Sequence, residues 1–188
     1  MSLSTDAVIS DTRAWLEKAV IGLNLCPFAK GVYIKNQVRF VVSEATNLDQ
    51  LLDDLDREIL LLAEADPCEI DTTLLIHPKV LTDFLDFNDF LDVADGVVAE
   101  HGLEGTLQVA SFHPDYQFAD TECDDISNYT NRSPYPILHL LREDSLDRAV
   151  AAFPEAAEIF EKNIQTMRQL GHAGWVALGL PQQKGKLV

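Results

Sequence analysis

Hydrophobic residues recur along this chain with two periods, one typical of buried strands and one typical of amphipathic helices. Short β-rich runs occupy residues 38–42, 72–76, 106–112 and 137–141. Between the first three runs, apolar residues recur every three or four positions over 48–62 and 84–98. This spacing predicts helices with one buried face. The same period predicts a first helix over about 6–24. It also predicts a last helix that has Pro154 in its first turn and apolar positions from Ile159 to Leu170.

Residues at the ends of these segments predict where the helices begin and end. Asn47 with Gln50 three residues later resembles a capping box, and Thr82 is placed to cap the next helix. Pro27 ends the first helix, because its ring removes a backbone donor. Gly171 is a typical helix stop and is expected to end the last helix.

The order strand–helix–strand–helix–strand predicts an α/β fold with a small, mainly parallel four-stranded sheet and packed helices. No helix separates the third and fourth strands, so the sequence also allows the last strand to run antiparallel to the third. A length of 188 residues fits one domain. We expect this domain to span 1–180 and a flexible C-terminal tail rich in Gly and Lys to span 181–188.

Acidic residues outnumber basic ones by 31 to 14, for a formal net charge of -17. This charge argues against nucleic acid and against anionic membrane surfaces as partners. The N-terminus lacks a signal-peptide pattern, and no apolar run approaches the roughly 20 residues that span a bilayer. The three cysteines form no CxxC pair. We therefore expect a cytoplasmic protein with reduced thiols.

The connection from about 114 to 136 is longer than most loops and carries many functional side chains. One interpretation is a binding loop in which Asn128, Asn131 and Arg132 hold a polar ligand, with Tyr116 and Asp115 as further contacts. The alternative is a packed structural loop in which Asn and Asp cap turns and the arginine pairs with an acid. The sequence leaves both open.

Histidines follow two of the predicted strands directly, as His77 and His113. Parallel strands would bring both to the carboxyl edge of the sheet, where open α/β sheets usually bind ligands. An antiparallel fourth strand would bring His139 close to the same edge. Together the three could bind a divalent metal or transfer protons. The alternative for each is a hydrogen-bonded strand end, or, for His139, a core residue.

Cofactor motifs are not evident in the sequence. It contains no GxxxxGK[ST], GxGxxG or GxSxG pattern, so nucleotide binding by those devices and a hydrolase elbow are not expected. Cys26 follows the first helix, where carbonyl dipoles disfavour a thiolate, so a buried free thiol is expected. Scarce cations such as Lys35, Arg132 and Arg142 could select a carboxylate or phosphate, or could balance surface acids.

Three segments resemble the signature stretches of a known family. They are Gly22-Leu23-Asn24-Leu25-Cys26-Pro27-Phe28-Ala29, Phe112-His113-Pro114 and Asn131-Arg132-Ser133-Pro134-Tyr135-Pro136. Through them the chain resembles the bacterial and plastid "domain of unknown function 1415" proteins over roughly 12–170. The resemblance implies a single-domain protein and directs attention to these segments. It implies no catalytic role.

The leading hypothesis from the sequence is a small enzyme that performs acid/base or hydrolytic chemistry on an anionic small molecule. His113 would be the general acid/base and His77 its partner, with Arg132, Asn128 and Asn131 holding the substrate. One alternative is a non-catalytic module that binds a metabolite or a protein. Another is a metalloprotein built on His77, His113 and His139. Oligomeric state is not encoded in any recognisable pattern.

Overall fold

The computed structural model describes residues 4–152 and 158–181. The α-helices are α1 (Thr5–Trp15), α2 (Ala29–Ile34), α3 (Leu48–Glu64), α4 (Phe84–Glu100), α5 (Glu143–Ala152) and α6 (Ile159–Ala177). The strands are β1 (Val38–Val42), β2 (Thr72–Ile76), β3 (Leu107–Phe112) and β4 (Ile137–Arg142). A π-helix (Leu16–Ile21) continues α1, and a 3₁₀ helix (Ile126–Thr130) lies in the long connection before β4.

The four strands form one mixed sheet in the order β1-β2-β4-β3. Only β1 and β2 pair in parallel, whereas β4 is antiparallel to both of its neighbours. The predicted α/β fold is confirmed, but a mainly parallel sheet is wrong. The reason is that the connection after β3 returns the chain so that β4 enters between β2 and β3. The antiparallel last strand that the sequence allowed is the one observed.

Helices cover both faces of this sheet. On the α3–α4 face, Leu75, Leu138 and Leu140 of the strands pack against apolar side chains of α3 and α4. On the α1 face, Leu74 and Ile137 pack against α1 and the π-helix. Neighbouring residues of each strand therefore belong to different cores, as the alternation of side chains in a strand requires.

Helix caps agree with the predictions in part. The side chain of Asn47 accepts the backbone N–H of Gln50 at 3.0 Å, which confirms the predicted start of α3. Gln50 reaches back to the N–H of Thr46 at 2.9 Å rather than to Asn47. The cap of α4 is Asp83, one residue after the predicted Thr82, and its carboxylate accepts from the first turn.

Several helical segments differ from the pattern. The first predicted helix is α1 followed by the π-helix, and α2 and α5 were not predicted. The last helix continues past Gly171, which has φ 63° and ψ 173° and makes a kink instead of a stop. The predicted first turn at Pro154 and the predicted tail, apart from Pro181, lie outside the described residues. Among the helices described, none has the length and apolar character needed to cross a membrane.

Candidate functional site

His77 and His113 directly follow β2 and β3 and lie on the α3–α4 face. Because both strands run in the same direction, the two residues emerge at the same edge of the sheet, as predicted. Their rings pack against the Phe87 ring of α4, with centroid distances of 5.7 and 5.1 Å. The structure therefore brings these two histidines together.

Both of these histidines are buried. His77 has 1% of its surface exposed to solvent, and His113 has none. The Nδ1–H group of His77 donates to the carbonyl of Val80 at 2.9 Å. Its Nε2 atom is buried with no hydrogen-bond partner among the described residues. Burial lowers the pKa of His77 to about 4, so the ring is neutral at pH 7.

His113 uses both ring nitrogens for backbone contacts. Its Nδ1 accepts the N–H of Asp115 at 3.0 Å, so its proton sits on Nε2, which donates to the carbonyl of Leu81 at 3.2 Å. These contacts agree with the structural alternative for the residue, in which the histidine is hydrogen-bonded at the end of a strand. The proposed proton-transfer role of His113 and His77 stays a prediction.

His139 lies on the opposite face of the sheet from His77 and His113. It pairs in register with Leu74 of β2 and Ala110 of β3, and its ring lies 5.9 Å from that of Phe112 on the α1 face. The expectation that the three histidines converge is therefore wrong. Side chains alternate along a strand, and His139 shares a face with Leu74 rather than with His77. Within 4–152 and 158–181, no three His, Cys, Asp or Glu side chains are grouped to hold a metal.

Asn128 of the long connection is fully buried and uses its amide to hold that connection. Its Oδ1 accepts from the N–H of Phe118 and the hydroxyl of Thr121, each at 2.9 Å. Its Nδ2 donates to the carbonyl of Glu122 at 2.9 Å. These contacts satisfy most of the amide's capacity and leave it enclosed by the loop.

Asn131 and Arg132 are also bonded to backbone groups. Asn131 Nδ2 donates to the carbonyl of Ser111 at 3.2 Å. Arg132 donates from Nε to the carbonyl of Tyr116 at 3.2 Å and from Nη2 to that of Cys123 at 2.6 Å. The contacts favour the structural interpretation of the loop, and its substrate-binding role remains a prediction.

Tyr116 and Asp115, the other two residues predicted to bind substrate, lie at the start of the connection. The Tyr116 ring packs between Phe84 and Phe118, at centroid distances of 5.2 and 5.1 Å. Asp115 contributes its backbone N–H to His113. Both residues are half-buried. These packing contacts explain why so many aromatic residues occur in one connection.

A cavity of about 490 Å³ lies on the α1 face of the sheet. Its floor includes strand residues Thr72, Leu74, Ala110, Phe112, His139 and Leu141. Its roof and walls include Trp15, Leu16, Val20, Cys26, Phe28, Val32, Leu146 and Ala149. The exposed residues Gly31 and Lys35 also line it, which places its mouth beside α2. The lining is dominated by apolar side chains.

His139 is the titratable ring in the cavity floor. The hydroxyl of Thr72 donates its one proton to the carbonyl of Leu140 at 2.7 Å. It therefore accepts from Nε2–H of His139, also at 2.7 Å. Burial lowers the pKa of His139 to about 4, so the ring is neutral at pH 7 with the proton on Nε2.

Cys26 lines the same cavity as a free, half-buried thiol. Burial raises its pKa, and the backbone N–H groups of Phe28 and Ala29 oppose that effect in part. Cys26 does follow the first helical segment, as predicted, but it also precedes α2, which the sequence pattern missed. The thiol is free, as expected, but the residue is half-buried rather than buried.

Charged groups that line the cavity mostly bond to the protein itself. Arg142 Nη2 donates to the carbonyls of Leu62 and Ala65 at 2.6 and 2.7 Å. The Asp71 carboxylate accepts the hydroxyl of Ser145 at 2.5 Å. The predicted alternative for Arg142, selection of an anion, receives no support from these contacts.

The roof of the cavity contains the π-helix, an uncommon element that often occurs at functional sites. Hydrogen bonds from Gly22 to Glu17 and from Leu25 to Val20, each 2.9 Å, span five residues instead of four. A Cβ atom at position 22 would lie 2.3 Å from the carbonyl oxygen of Lys18. Glycine is therefore required there. A glycine inside a helical pattern was the one sequence signal of this feature.

Comparisons with known proteins agree with the resemblance noted from the sequence. A family model described as "Protein of unknown function (DUF1415)" matches residues 7–177. No curated protein and no solved structure matches the chain. The matched range includes all four strands, both histidines at the sheet edge and every segment that lines the cavity. The chain therefore belongs to the DUF1415 family of proteins of unknown function.

Proposed function

We propose that this protein binds a small apolar molecule in the cavity on the α1 face. The observation that supports this is the cavity itself. Its volume of about 490 Å³ falls within the range of roughly 300–1,000 Å³ typical of ligand pockets. Such pockets combine an apolar lining with a few placed polar groups, and here His139 and Cys26 are such groups.

The charges around the cavity favour an uncharged ligand body. Arg142 and Asp71 already form hydrogen bonds with neutral protein groups, which occupy atoms that would otherwise contact a charged ligand in the cavity. A buried charge without a partner is strongly unfavourable. Lys35 is exposed at the mouth, where solvent would also hydrate a charged end of a ligand. We propose that the part of the ligand that enters the cavity is apolar.

The proposal is tested by filling the cavity from α5. Ala149 lines the cavity, whereas Ala151 is exposed on the same helix. Ala149→Phe and Ala151→Phe both add the same aromatic side chain to α5. We expect the neutral fluorescent probe N-phenyl-1-naphthylamine to bind the natural protein and Ala151→Phe with equal affinity, and Ala149→Phe at least about tenfold more weakly.

Two outcomes of this titration would overturn the proposal. One is the absence of saturable binding to the natural protein. The other is equal binding by Ala149→Phe and Ala151→Phe, since the probe would then occupy some other surface. Thermal unfolding of each variant checks that the fold is intact.

A second candidate is the acid/base enzyme expected from the sequence, acting on an anionic small molecule at the sheet edge beneath the 114–136 connection. The observation that favours it is the unpartnered Nε2 of His77, next to His113. The test is a thermal-shift screen with phosphate, carboxylates and divalent metals. A stabilising compound whose effect is lost in His113→Ala and Arg132→Ala would support this candidate, and no shift would count against it.

We also propose a reducing compartment, the cytoplasm, for this protein. Cys26, Cys68 and Cys123 are all free, and the last two are exposed. Exposed free thiols persist where cellular reductants keep them reduced. Thiol titration of the unfolded chain, purified from its natural source without added reductant, should give three thiols. A lower number would indicate oxidation and contradict the proposal.

A further inference from the structure

We infer that the ligand carries a neutral hydrogen-bond donor, a hydroxyl or N–H group, and that Nδ1 of His139 accepts it. This inference rests on the proposed function and specifies the chemical class of the ligand. His139 would then be the residue that determines specificity within the cavity. The argument has three steps, which concern the tautomer of the ring, its position and its selectivity.

The first step is that the structure fixes the tautomer of His139. The Thr72 hydroxyl has one proton, and it goes to the carbonyl of Leu140. The same oxygen lies 2.7 Å from Nε2 of His139 and must act there as the acceptor. A neutral imidazole with its proton on Nε2 has an acceptor lone pair on Nδ1. The acceptor is therefore a consequence of the bonding around Thr72.

The second step is that this acceptor borders the cavity. His139 lines the cavity in the centre of the sheet, between Leu74 of β2 and Ala110 of β3. Its Nδ1 has no hydrogen-bond partner in the part of the chain that the structure describes. Unlike His77 Nε2, which is fully buried without a partner, this atom keeps accessible surface. The small side chain of Ala110 leaves space beside the His139 ring.

The third step is that an apolar surrounding makes this acceptor selective. When a ligand covers Nδ1 without donating to it, the nitrogen loses water and gains no partner, which is unfavourable. A ligand with a hydroxyl or N–H group at that point replaces the lost water contact. Sites built to bond a donor discriminate strongly against analogues that lack it. The cavity should therefore prefer a phenol or alcohol over its ether.

The experiment compares 4-hexylphenol with its methyl ether, 4-hexylanisole, by isothermal titration calorimetry. Both have the same apolar body, but only the phenol donates. We expect the natural protein to bind the phenol about tenfold more tightly, the ratio that one hydrogen bond of ordinary strength provides. In His139→Phe the two compounds should bind equally. His139→Asn places an amide oxygen near the position of Nδ1 and should restore a preference for the phenol.

The outcomes separate this inference from the proposed function. If both compounds bind the natural protein equally, or if His139→Phe keeps the preference, the inference is overturned and cavity binding survives. If neither compound binds, both are overturned. Binding of the ether by His139→Phe shows that the cavity of that variant is intact, so its loss of preference cannot be attributed to misfolding.

Discussion

The two faces of the sheet differ in how their helices cover them. On the α3–α4 face, two helices of 17 residues each lie against the strands, and their core positions Leu51, Leu55 and Ile59 have no exposed surface. On the α1 face, the covering includes α1, a π-helix, the six-residue α2, part of α5 and Trp175 near the end of α6. The short elements leave a cavity of about 490 Å³.

This difference shows why residue type alone is a poor guide to the functional region. His77, His113 and the amides of the long connection attract attention in the sequence, but they lie at the filled face and in that connection, where they bond to backbone groups. Apart from His139 and Cys26, the cavity is lined mainly by residues that look like ordinary core in the sequence. Whether a polar atom is available for a ligand depends on its partners in the fold.

The largest expected effect concerns a phenylalanine on each face. Phe87 is fully buried between helix α4 and the two histidines, so Phe87→Ala should lower the free energy of unfolding by about 3–5 kcal/mol. Phe112 is half-buried and already borders the cavity. Phe112→Ala should therefore cost roughly half as much or less. Urea unfolding measures both, and equal losses would contradict the difference between the faces.

Adding side-chain volume should also destabilise the α3–α4 face more than the α1 face. Ala94 of α4 is fully buried in the filled core, so Ala94→Phe should destabilise by about 3 kcal/mol or more. Ala149→Phe enters the cavity and should change the free energy of unfolding by no more than about 1 kcal/mol. Chemical denaturation of the two variants checks this. Similar destabilisation would mean that the cavity cannot accept an added ring.

The amide of Asn128 should matter to stability and not to the cavity. Asn128→Ala leaves the N–H of Phe118 and the carbonyl of Glu122 without their partner, at a cost of about 2–3 kcal/mol. Asn88→Ala, on the exposed side of α4, is the matched control and should change stability little. Probe affinity should be the same in both. A loss of affinity in Asn128→Ala alone would favour the binding-loop interpretation.

Acid should destabilise the fold through the buried histidines. Folding lowers the pKa of His77 from 6.5 to about 4, so between these values the unfolded chain binds more protons than the folded one. Stability is therefore complete above pH 6.5 and falls as the pH falls toward 4, by roughly 1–3 kcal/mol. His77→Gln should make this dependence shallower, and the part that remains comes from His139, whose pKa folding also lowers to about 4. An unchanged slope in urea titrations across this range would contradict the buried, neutral state of His77.

Much of the fold followed from local pattern. The period of apolar residues predicted β1, β2, α3 and α4 closely, because each buries one face or both against the rest of the chain. The position of β4 depends on contacts between distant segments, and no local signal encodes it. Only the possibility of an antiparallel last strand could be stated in advance.

The candidate site was less predictable for the same reason. The sequence could place His77 and His113 at one edge, since both directly follow strands. It could not show that Val80, Leu81 and Asp115 would form hydrogen bonds with three of their four ring nitrogens. Empty space has no sequence signature, and the cavity arises from how α1, α2 and α5 meet the sheet. Its nearest signals were Gly22 and the dense segment around Cys26.

The most direct test of the account is methyl NMR of the natural protein titrated with 4-hexylphenol. Leu74 and Leu75 are neighbours in β2 but point into different cores, so their methyl groups report on the two faces separately. The account predicts saturable shifts at Leu74, Val20 and Leu141, with Leu75 and Leu138 nearly unchanged. Shifts centred on Leu75 and Leu138, or no saturable shift, would contradict a binding cavity on the α1 face.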